Sequence, residues 1–341
     1  MTDILSLTLD DLKAEIQALG EKPFRASQIY KWLHQKRVTS FDEMSDLSLS
    51  LREKLKASFT FEHIKPVRIL KSKTDGTEKL LFELCDGNHV ETVLMSYEHG
   101  DSLCISTQAG CKMGCRFCAS TIAGFKRNLE PNEILGQLYE TERATGRKVS
   151  SIVLMGIGEP LDNYDNVVKF LRILESPEGT NMSLRHVSLS TCGLVNRIYD
   201  LSELDFGLTL SISLHSPYDE KRSELMPIND RYHISELMRA CRDYFAKTGR
   251  RISFEYALIE GENDSPSDAK ALCDLLRGMP SHINIIPVNK IKERNYRSDR
   301  SSALRFCKML NDMGANATVR RTLGADIDAA CGQLRREYEG T

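Results

Sequence analysis

Nowhere in this 341-residue sequence does an apolar run approach the roughly 20 residues that a membrane-spanning helix needs. No membrane partner is expected. The opening stretch, MTDILSLTLDDLKAEI, has no basic segment leading into an apolar one, so no secretory signal is expected either. Both absences point to the cytoplasm, where thiols stay reduced. Charge of one sign is also lacking. The net charge of −2 argues neither for nor against a nucleic-acid partner. Internal repeats and low-complexity segments are absent. Hydrophobic content of 41% and charged content of 28% are ordinary for a soluble globular protein. The length allows one large domain plus a small one.

Against this plain background the ten cysteines stand out. In a reducing compartment they are not a disulfide framework, so clustered ones should be metal ligands or reactive thiols. Three fall in Cys111-Lys-Met-Gly-Cys115-Arg-Phe-Cys118, a C-x3-C-x2-C spacing. A zinc site would want four ligands, commonly in paired knuckles, and no second knuckle is present. Three thiolates on one short loop suit three irons of a cubane cluster. Most such clusters use four cysteines, so here one iron would stay open to a ligand. Buried cysteines without ligand roles would be scattered, as Cys241, Cys273 and Cys307 are on helical patterns.

Three regions are read along the chain. Residues 1–60 are predicted to be a helical accessory domain. Leu9, Leu12, Ile16 and Leu19 share one helical face after Thr8 as N-cap, and Gly20 and Pro23 break the helix. Residues 22–37 then carry Lys22, Arg25, Lys31, Lys36 and Arg37 without an acid. With Tyr30 and Trp32 they form either an RNA-contacting helix or a solvated face over core aromatics. Residues 61–98 read as a β connector. Strands at 67–70 and 78–84 flank the turn Thr74-Asp75-Gly76, and another runs over 89–95. Residues 99–341 alternate strand, loop and helix. Strands are predicted at 103–106, 151–155, 187–190, 208–214, 252–258 and 283–287, with helices over 131–145, 166–174 and 234–246. The fold class is α/β, an open, partial barrel related to the TIM barrel, whose active residues sit at strand C-terminal ends.

Chemistry-bearing residues cluster at those ends. Cys111–Cys118 follows the first strand. Met155-Gly-Ile-Gly158-Glu159-Pro160 ends the second, where a glycine-rich turn permits close backbone approach and a carboxylate can pair with an ammonium. Ser190, the Ser213-Leu214-His215 strand end and Asn289 are polar groups at three further tips. Each of these taken alone is as well explained as a strand-end cap.

The cysteine loop resembles the radical S-adenosylmethionine (SAM) signature, including Phe117 before the last cysteine, and Gly158-Glu159-Pro160 resembles that superfamily's amino-group-binding element. The likeness covers essentially the whole chain. It includes GFKRNL, MGIGEPL, SLHSPYDEKRSELMPIN, INIIPVN and the tail Arg320-Arg321-Thr-Leu-Gly-Ala-Asp326-Ile-Asp328-Ala-Ala-Cys331-Gly-Gln-Leu. On these strings the chain is identified as a member of the RlmN/Cfr family of radical SAM RNA methyltransferases.

The resemblance implies a [4Fe-4S] cluster on Cys111, Cys115 and Cys118. It also implies a SAM pocket formed by Gly158, Glu159, Ser190, Ser213, Leu214, His215 and Asn289. It implies that Cys331 takes a methyl group from one SAM, and that a second SAM yields the radical that activates it toward carbon 2 of adenine. Cys104 would resolve the resulting RNA–protein adduct through a transient disulfide with Cys331. Glu91 matches the proton acceptor, and either Glu91 or Cys104 removes the carbon-2 proton. Without the family, Cys104 and Glu91 read as ordinary strand residues. Cys192 is expected to be non-catalytic.

The implied substrates are 23S rRNA at the peptidyl-transferase centre and tRNA beside the anticodon. An external flavodoxin- or ferredoxin-like electron donor and a monomeric state are expected. Lys126, Arg127, Lys290, Lys292, Arg294, Arg297, Arg300, Arg320 and Arg321 are expected to meet phosphates around the barrel top. The substrate should present a loop nucleotide or a flipped base. The rival within the family is the Cfr type, which methylates carbon 8. Two other classes are an iron–sulfur RNA-binding sensor without turnover and a radical SAM enzyme acting on a small molecule.

Overall fold

The computed structural model describes residues 1–122, 124–288 and 298–327, together with Leu334 and Tyr338. Three helices open the chain: α1 (Leu9–Ala18), α2 (Phe24–His34) and α3 (Leu49–Ser58). The Thr8 side chain accepts from the Asp11 amide and Asp11 accepts from the Thr8 amide, a capping box that starts α1. Leu12 and Ile16 are buried beneath it.

Strands β1 (Lys65–Lys71), β2 (Glu78–Glu83) and β3 (His89–Tyr97) form an antiparallel meander. β3 pairs antiparallel with β4 (Gly100–Cys104), so the meander is continuous with the sheet that follows. A small ribbon, β5 (Gln108–Gly110) and β6 (Phe125–Asn128), brackets the cysteine loop. From β4 the sheet runs parallel through β7 (Val149–Leu154), β8 (Val187–Thr191), β9 (Thr209–Ser213), β10 (Ile252–Leu258), β11 (Ser281–Pro287) and the short β12 (Ala317–Val319). Among the described residues β1 and β12 are unpaired edges, so the barrel is open. The six expected parallel strands are present, and β12 adds a seventh that the reading missed.

Outer helices lie between the strands: α4 (Pro131–Thr145), α5 (Tyr164–Glu175), α6 (Val195–Ser202), α7 (Asp219–Leu225), α8 (Ile234–Thr248), α9 (Pro266–Leu276) and α10 (Arg300–Asp312). The apolar alternates of the strands, such as Leu189, Leu210, Ile212, Phe254 and Ile285, are buried in one core with these helices. The other alternates face the barrel lumen.

The N-terminal helices dock on α4. Tyr30 is core, His34 Nδ1 lies 2.9 Å from the Tyr139 hydroxyl, and Arg37 pairs with Glu142. Part of the basic run is therefore structural. Trp32 is half-buried, donates to Asp46 at 2.5 Å and carries Lys36 over its ring. Lys22, Arg25 and Lys31 remain on the outer face.

Candidate active site

The cysteine loop leaves β5 and is pinned by its own backbone. The Cys111 amide donates to Gly124 (3.3 Å), and Thr121 Oγ1 donates to the Cys118 carbonyl (2.9 Å). The Arg116 amide donates to the Leu225 carbonyl at 2.9 Å, so α7 props the loop from outside. Cys111 and Cys115 are buried and Cys118 half-buried. All three line one cavity of about 290 Å³ at the strand C-terminal ends. Burial pushes the Cys111 thiol up to about 12, and neighbouring Cys118 and Glu159 push the same way. Burial raises Cys115 as well.

Such thiols hold their protons until a bound cation deprotonates them. Among the described residues, no three His, Cys, Asp or Glu side chains converge on a single ion position. Three thiols on one cavity wall suit three irons of a polynuclear cluster, with one thiolate per iron, and fall one ligand short of a four-ligand zinc site.

Opposite the loop sits Glu159, buried. Its Oε2 accepts from the Cys192 amide (2.8 Å) and its Oε1 from the Leu161 amide (3.1 Å). Burial raises its pKa while those amides lower it. The glycines before it answer to a neighbouring strand. A Cβ on Gly156 would lie 2.5 Å from the Ile105 carbonyl oxygen, and one on Gly158, at φ +107°, 2.6 Å from Gln108 Cβ. The sequence reading gave that glycine turn a ligand-approach role. The structure adds a packing constraint on the side of Ile105 and Gln108.

Ser190 and Ser213 line the same cavity with their hydroxyls 3.5 Å apart. His215 also lines it, in a left-handed conformation at φ +59° that suits few side chains. Its Nδ1 accepts from the Ala257 amide at 2.8 Å, so Nε2 carries the proton. Burial, with Arg222 close by, lowers its pKa to about 3 and keeps it neutral. Phe117 packs edge-on against the ring, 4.6 Å between centroids.

Other predicted residues lie elsewhere. Leu214 is fully buried in the core and does not line the cavity; its amide donates to Glu255 and its carbonyl accepts from Arg222. Cys104 is buried beside Val93, Met95 and Met155, on the lumen side of β4. Glu91 sits two residues before Val93, the register partner of Cys104, so Glu91 and Cys104 are diagonal neighbours on the same sheet face. Glu91 forms a fully buried ion pair with Lys79, 3.2 Å from Nζ. Asn289 and Cys331 lie outside the described residues, as do Lys290, Lys292, Arg294, Arg297 and Asp328.

The segment on either side of Cys331 is anchored. Asp326 accepts from Ser72 Oγ (2.7 Å) and the Lys73 amide (2.9 Å), and the Gly324 amide donates to Asp75 (2.7 Å). Leu334 is buried, and Tyr338 packs edge-on against His89. Arg127 does not fit the expected phosphate role. Its guanidinium is bidentate on Glu133 at 2.7 Å and also pairs with Asp86.

Sequence reasoning missed Arg222. It is 1% exposed, and its guanidinium donates to the Cys192 carbonyl (2.7 Å), Asn229 (2.8 Å) and the Ser213 and Leu214 carbonyls (both 3.2 Å). It ties the ends of β8 and β9 together behind the cavity. The SPYDEKRSELMPIN string held this signal, but an Arg on a charged heptad gives no sign of burial.

With this geometry in hand, the comparisons with known proteins are direct. Residues 2–60 match the ribosomal RNA large subunit methyltransferase N-terminal domain, and residues 105–274 match the radical SAM superfamily. The probable dual-specificity RNA methyltransferase RlmN of Lachnospira eligens is 52% identical, over 99% of this chain and 97% of its own. Its counterpart in Geobacillus kaustophilus is 50% identical, over 98% and 93%. The crystal structure of a radical SAM methyltransferase from Sphaerobacter thermophilus superposes with a TM-score of 0.92 at 41% identity, covering 98% of this chain and 99% of that one. The three thiols, the buried glutamate opposite them and full-length kinship at half identity make this chain a member of the RlmN family of radical SAM methyltransferases, with SAM and a [4Fe-4S] cluster as its cofactors.

Proposed function

We propose that this enzyme methylates carbon 2 of adenosine in two RNAs, 23S rRNA at the peptidyl-transferase centre and tRNA beside the anticodon. Its relatives carry the name of dual-specificity RNA methyltransferases. The observation that carries the reading is one cavity lined by Cys111, Cys115, Cys118, Glu159, Ser190, Ser213 and His215. In this reading the three thiolates hold the cluster and the remaining groups hold SAM. The bound cluster supplies the electron that cleaves SAM to a 5′-deoxyadenosyl radical.

The chain's own groups do the rest. The Gly158 backbone and the Glu159 carboxylate take the SAM ammonium. Neutral His215 offers Nε2–H, and Ser190 and Ser213 offer hydroxyls; Asn289 completes the set. Carbon 2 of adenine is electron-poor and cannot attack the methyl group of SAM, whereas a thiolate can. Cys331 therefore takes a methyl from one SAM, and the radical from a second SAM abstracts hydrogen from it. The methylene radical then adds to carbon 2, and the adduct gives up one electron, which the oxidised cluster would take back. Glu91 or Cys104 removes the carbon-2 proton. The Cys104 thiolate attacks the Cys331 sulfur, the bond from that sulfur to the methylene carbon breaks, and the carbon takes a proton to become the methyl group; an external reductant returns the Cys104–Cys331 disulfide to thiols.

Two SAM molecules are consumed per turnover. A flavodoxin- or ferredoxin-like protein supplies electrons to a monomeric, cytoplasmic enzyme. Nucleoside mass spectrometry of both RNAs after reaction tests the reading, with 2-methyladenosine expected in each. Exclusive 8-methyladenosine would overturn it in favour of the Cfr type.

A further inference from the structure

Strands β2 and β3 each turn one face to the helices and one away from them. Leu80, Phe82, Val90 and Leu94 belong to the main core. The alternate residues Lys79, Leu81, Glu91, Val93 and Met95 lie on the opposite face, the one that carries Cys104. Val93 pairs with Lys79 on one side and with Cys104 on the other, so the three form one row across β2, β3 and β4. Leu81 and Glu91 form the neighbouring row, and Glu91 is therefore diagonal to both Lys79 and Cys104. In this wall Lys79 is 0% exposed and Glu91 2%, with Nζ 3.2 Å from Oε2.

The wall has two neighbours. Met95, Tyr97 and Met155, which pack at Cys104, also line the lower lumen. That space of about 610 Å³ carries polar tiers, among them Ser188, Thr209, Ser211 and Ser253, and has Arg251, Arg320 and Arg321 along its lining. The second neighbour is the tail that carries Cys331. Leu323 packs on the cluster of Val93, Met95 and Cys104, and Tyr338 packs on His89. His89, Glu91 and Val93 are alternate residues of β3, so the two anchors bracket Glu91 on the strand, as they bracket Cys331 in sequence.

A buried ion pair often adds no more stability than apolar residues of the same volume, because desolvating both charges offsets their attraction. Removing one partner is different, since it strands the other charge. What Lys79 adds is a charged carboxylate in a fixed place, in a wall where a lone carboxylate would be costly. We propose that Lys79 is a positioning residue for the loss of the carbon-2 proton. Its ammonium holds Glu91 charged beside Cys104 and between the two anchors of the Cys331 segment, and the Glu91 carboxylate accepts the proton. The inference rests on the carbon-2 reading and decides between the two acceptors named above. The carbon–hydrogen bond breaks, its electron pair stays with the ring, and the proton joins a Glu91 oxygen; Lys79 keeps its own protons.

The test uses the full-length, cluster-loaded enzyme and a 23S rRNA fragment with protium or deuterium at carbon 2 of the target adenosine. In Lys79→Met, RNA methylation should slow at least about tenfold, as for a misplaced general base, with the RNA KM nearly unchanged. Cys331 methylation, read by intact mass without RNA, should continue. The covalent RNA adduct should accumulate with its carbon-2 deuterium in place, and the deuterium effect on the rate should exceed that of the wild type. A merely structural lysine would not enlarge that isotope effect. Because Lys79→Met strands a buried carboxylate, the reversed pair Lys79→Glu/Glu91→Lys is the second variant. It keeps both charges buried but moves the carboxylate to β2, one strand or about 4.8 Å farther from Cys104. It should keep the cluster and Cys331 methylation and lose RNA methylation. An unchanged isotope effect in Lys79→Met, or wild-type RNA methylation by the reversed pair, would overturn the proposal. A wild-type enzyme that gives no 2-methyladenosine would fail the carbon-2 reading itself, whereas normal wild-type product with either of those variant results fails only the role of Lys79.

Discussion

The two ends of one lumen are built from the same strands and differ in almost every property. The upper end is the smaller, lined by thiols, Met155, Phe117, Ile286 and Val288 beside Glu159, Ser190, Ser213 and His215. The lower end is twice as large and ringed by hydroxyls and arginines. A radical needs surroundings that exclude water and competing donors, which a tight and largely apolar end provides. A wide mouth with exposed arginines attracts anions. Alternation along β8 to β11 provides both, because the inward set changes character between strand start and strand end while the outward set stays apolar.

The largest effect that would break this contrast lies at the upper end. Cys118→Ala should remove the cluster and with it all 5′-deoxyadenosine formation; iron analysis and product chromatography read this, and retained cluster absorbance would contradict it. Cys331→Ala should abolish RNA methylation while the cluster's absorbance stays. Loss of that absorbance would make Cys331 a cluster ligand instead. Cys104→Ala should trap RNA covalently on the protein, visible as a shifted band on a denaturing gel; a gel with only free RNA would count against a resolving role.

Glu159→Gln should come next. Replacing a carboxylate–ammonium contact with a neutral one should weaken SAM binding about 10- to 100-fold, as expected for a charged hydrogen bond of about 1.5–3 kcal/mol. Titration calorimetry on the cluster-loaded protein measures it, and wild-type affinity would place the SAM ammonium elsewhere.

The smallest effect concerns the tail. The Lys73 amide and Ser72 hold the Asp326 carboxyl below its ordinary value of 3.8. A depressed folded-state pKa means the latch is at full strength above that ordinary value and is lost as pH falls through the lowered one. The protection factors of the tail amides, which divide out the intrinsic pH dependence of hydrogen exchange, should therefore stay constant from neutral pH down to the carboxylate range and fall only below it. Asp326→Asn should speed that exchange severalfold at neutral pH. His215 supplies a sharper pH check. Its pKa is lowered to about 3, so its neutral form contributes stability that is complete above the ordinary 6.5 and is lost as pH falls below it. SAM affinity should show no inflection near neutrality from this ring.

Several features were readable because they are local. The C-x3-C-x2-C loop, the glycine turn before Glu159, the capping box at Thr8 and the Thr74–Gly76 turn depend on neighbours in sequence. The parallel strands were readable from their spacing with the helices. Features set by register were not. Lys79 meets Glu91 only because β2 and β3 pair antiparallel with a particular offset. Leu214 was assigned to the pocket as part of a strand-end triplet, yet alternation turns it into the core between Ser213 and His215. Arg127 looked like a free cation beside Lys126 until folding brought Asp86 and Glu133 to it. The polar tiers were visible as alternation in Ser188-Leu-Ser190 and Thr209-Leu-Ser-Ile-Ser213. Strands covered by helices on one face and facing a filled barrel on the other should read as near-continuous apolar runs. That departure was the one available signal for an open lumen.

The central claim is that the methyl carbon reaches RNA through Cys331, and the fate of its hydrogens tests this most directly. Enzyme with unmethylated Cys331, given SAM deuterated at the methyl group, should yield 2-methyladenosine carrying two deuteriums and 5′-deoxyadenosine carrying one. A product that retains all three deuteriums would mean direct transfer from SAM to adenine and would contradict the account.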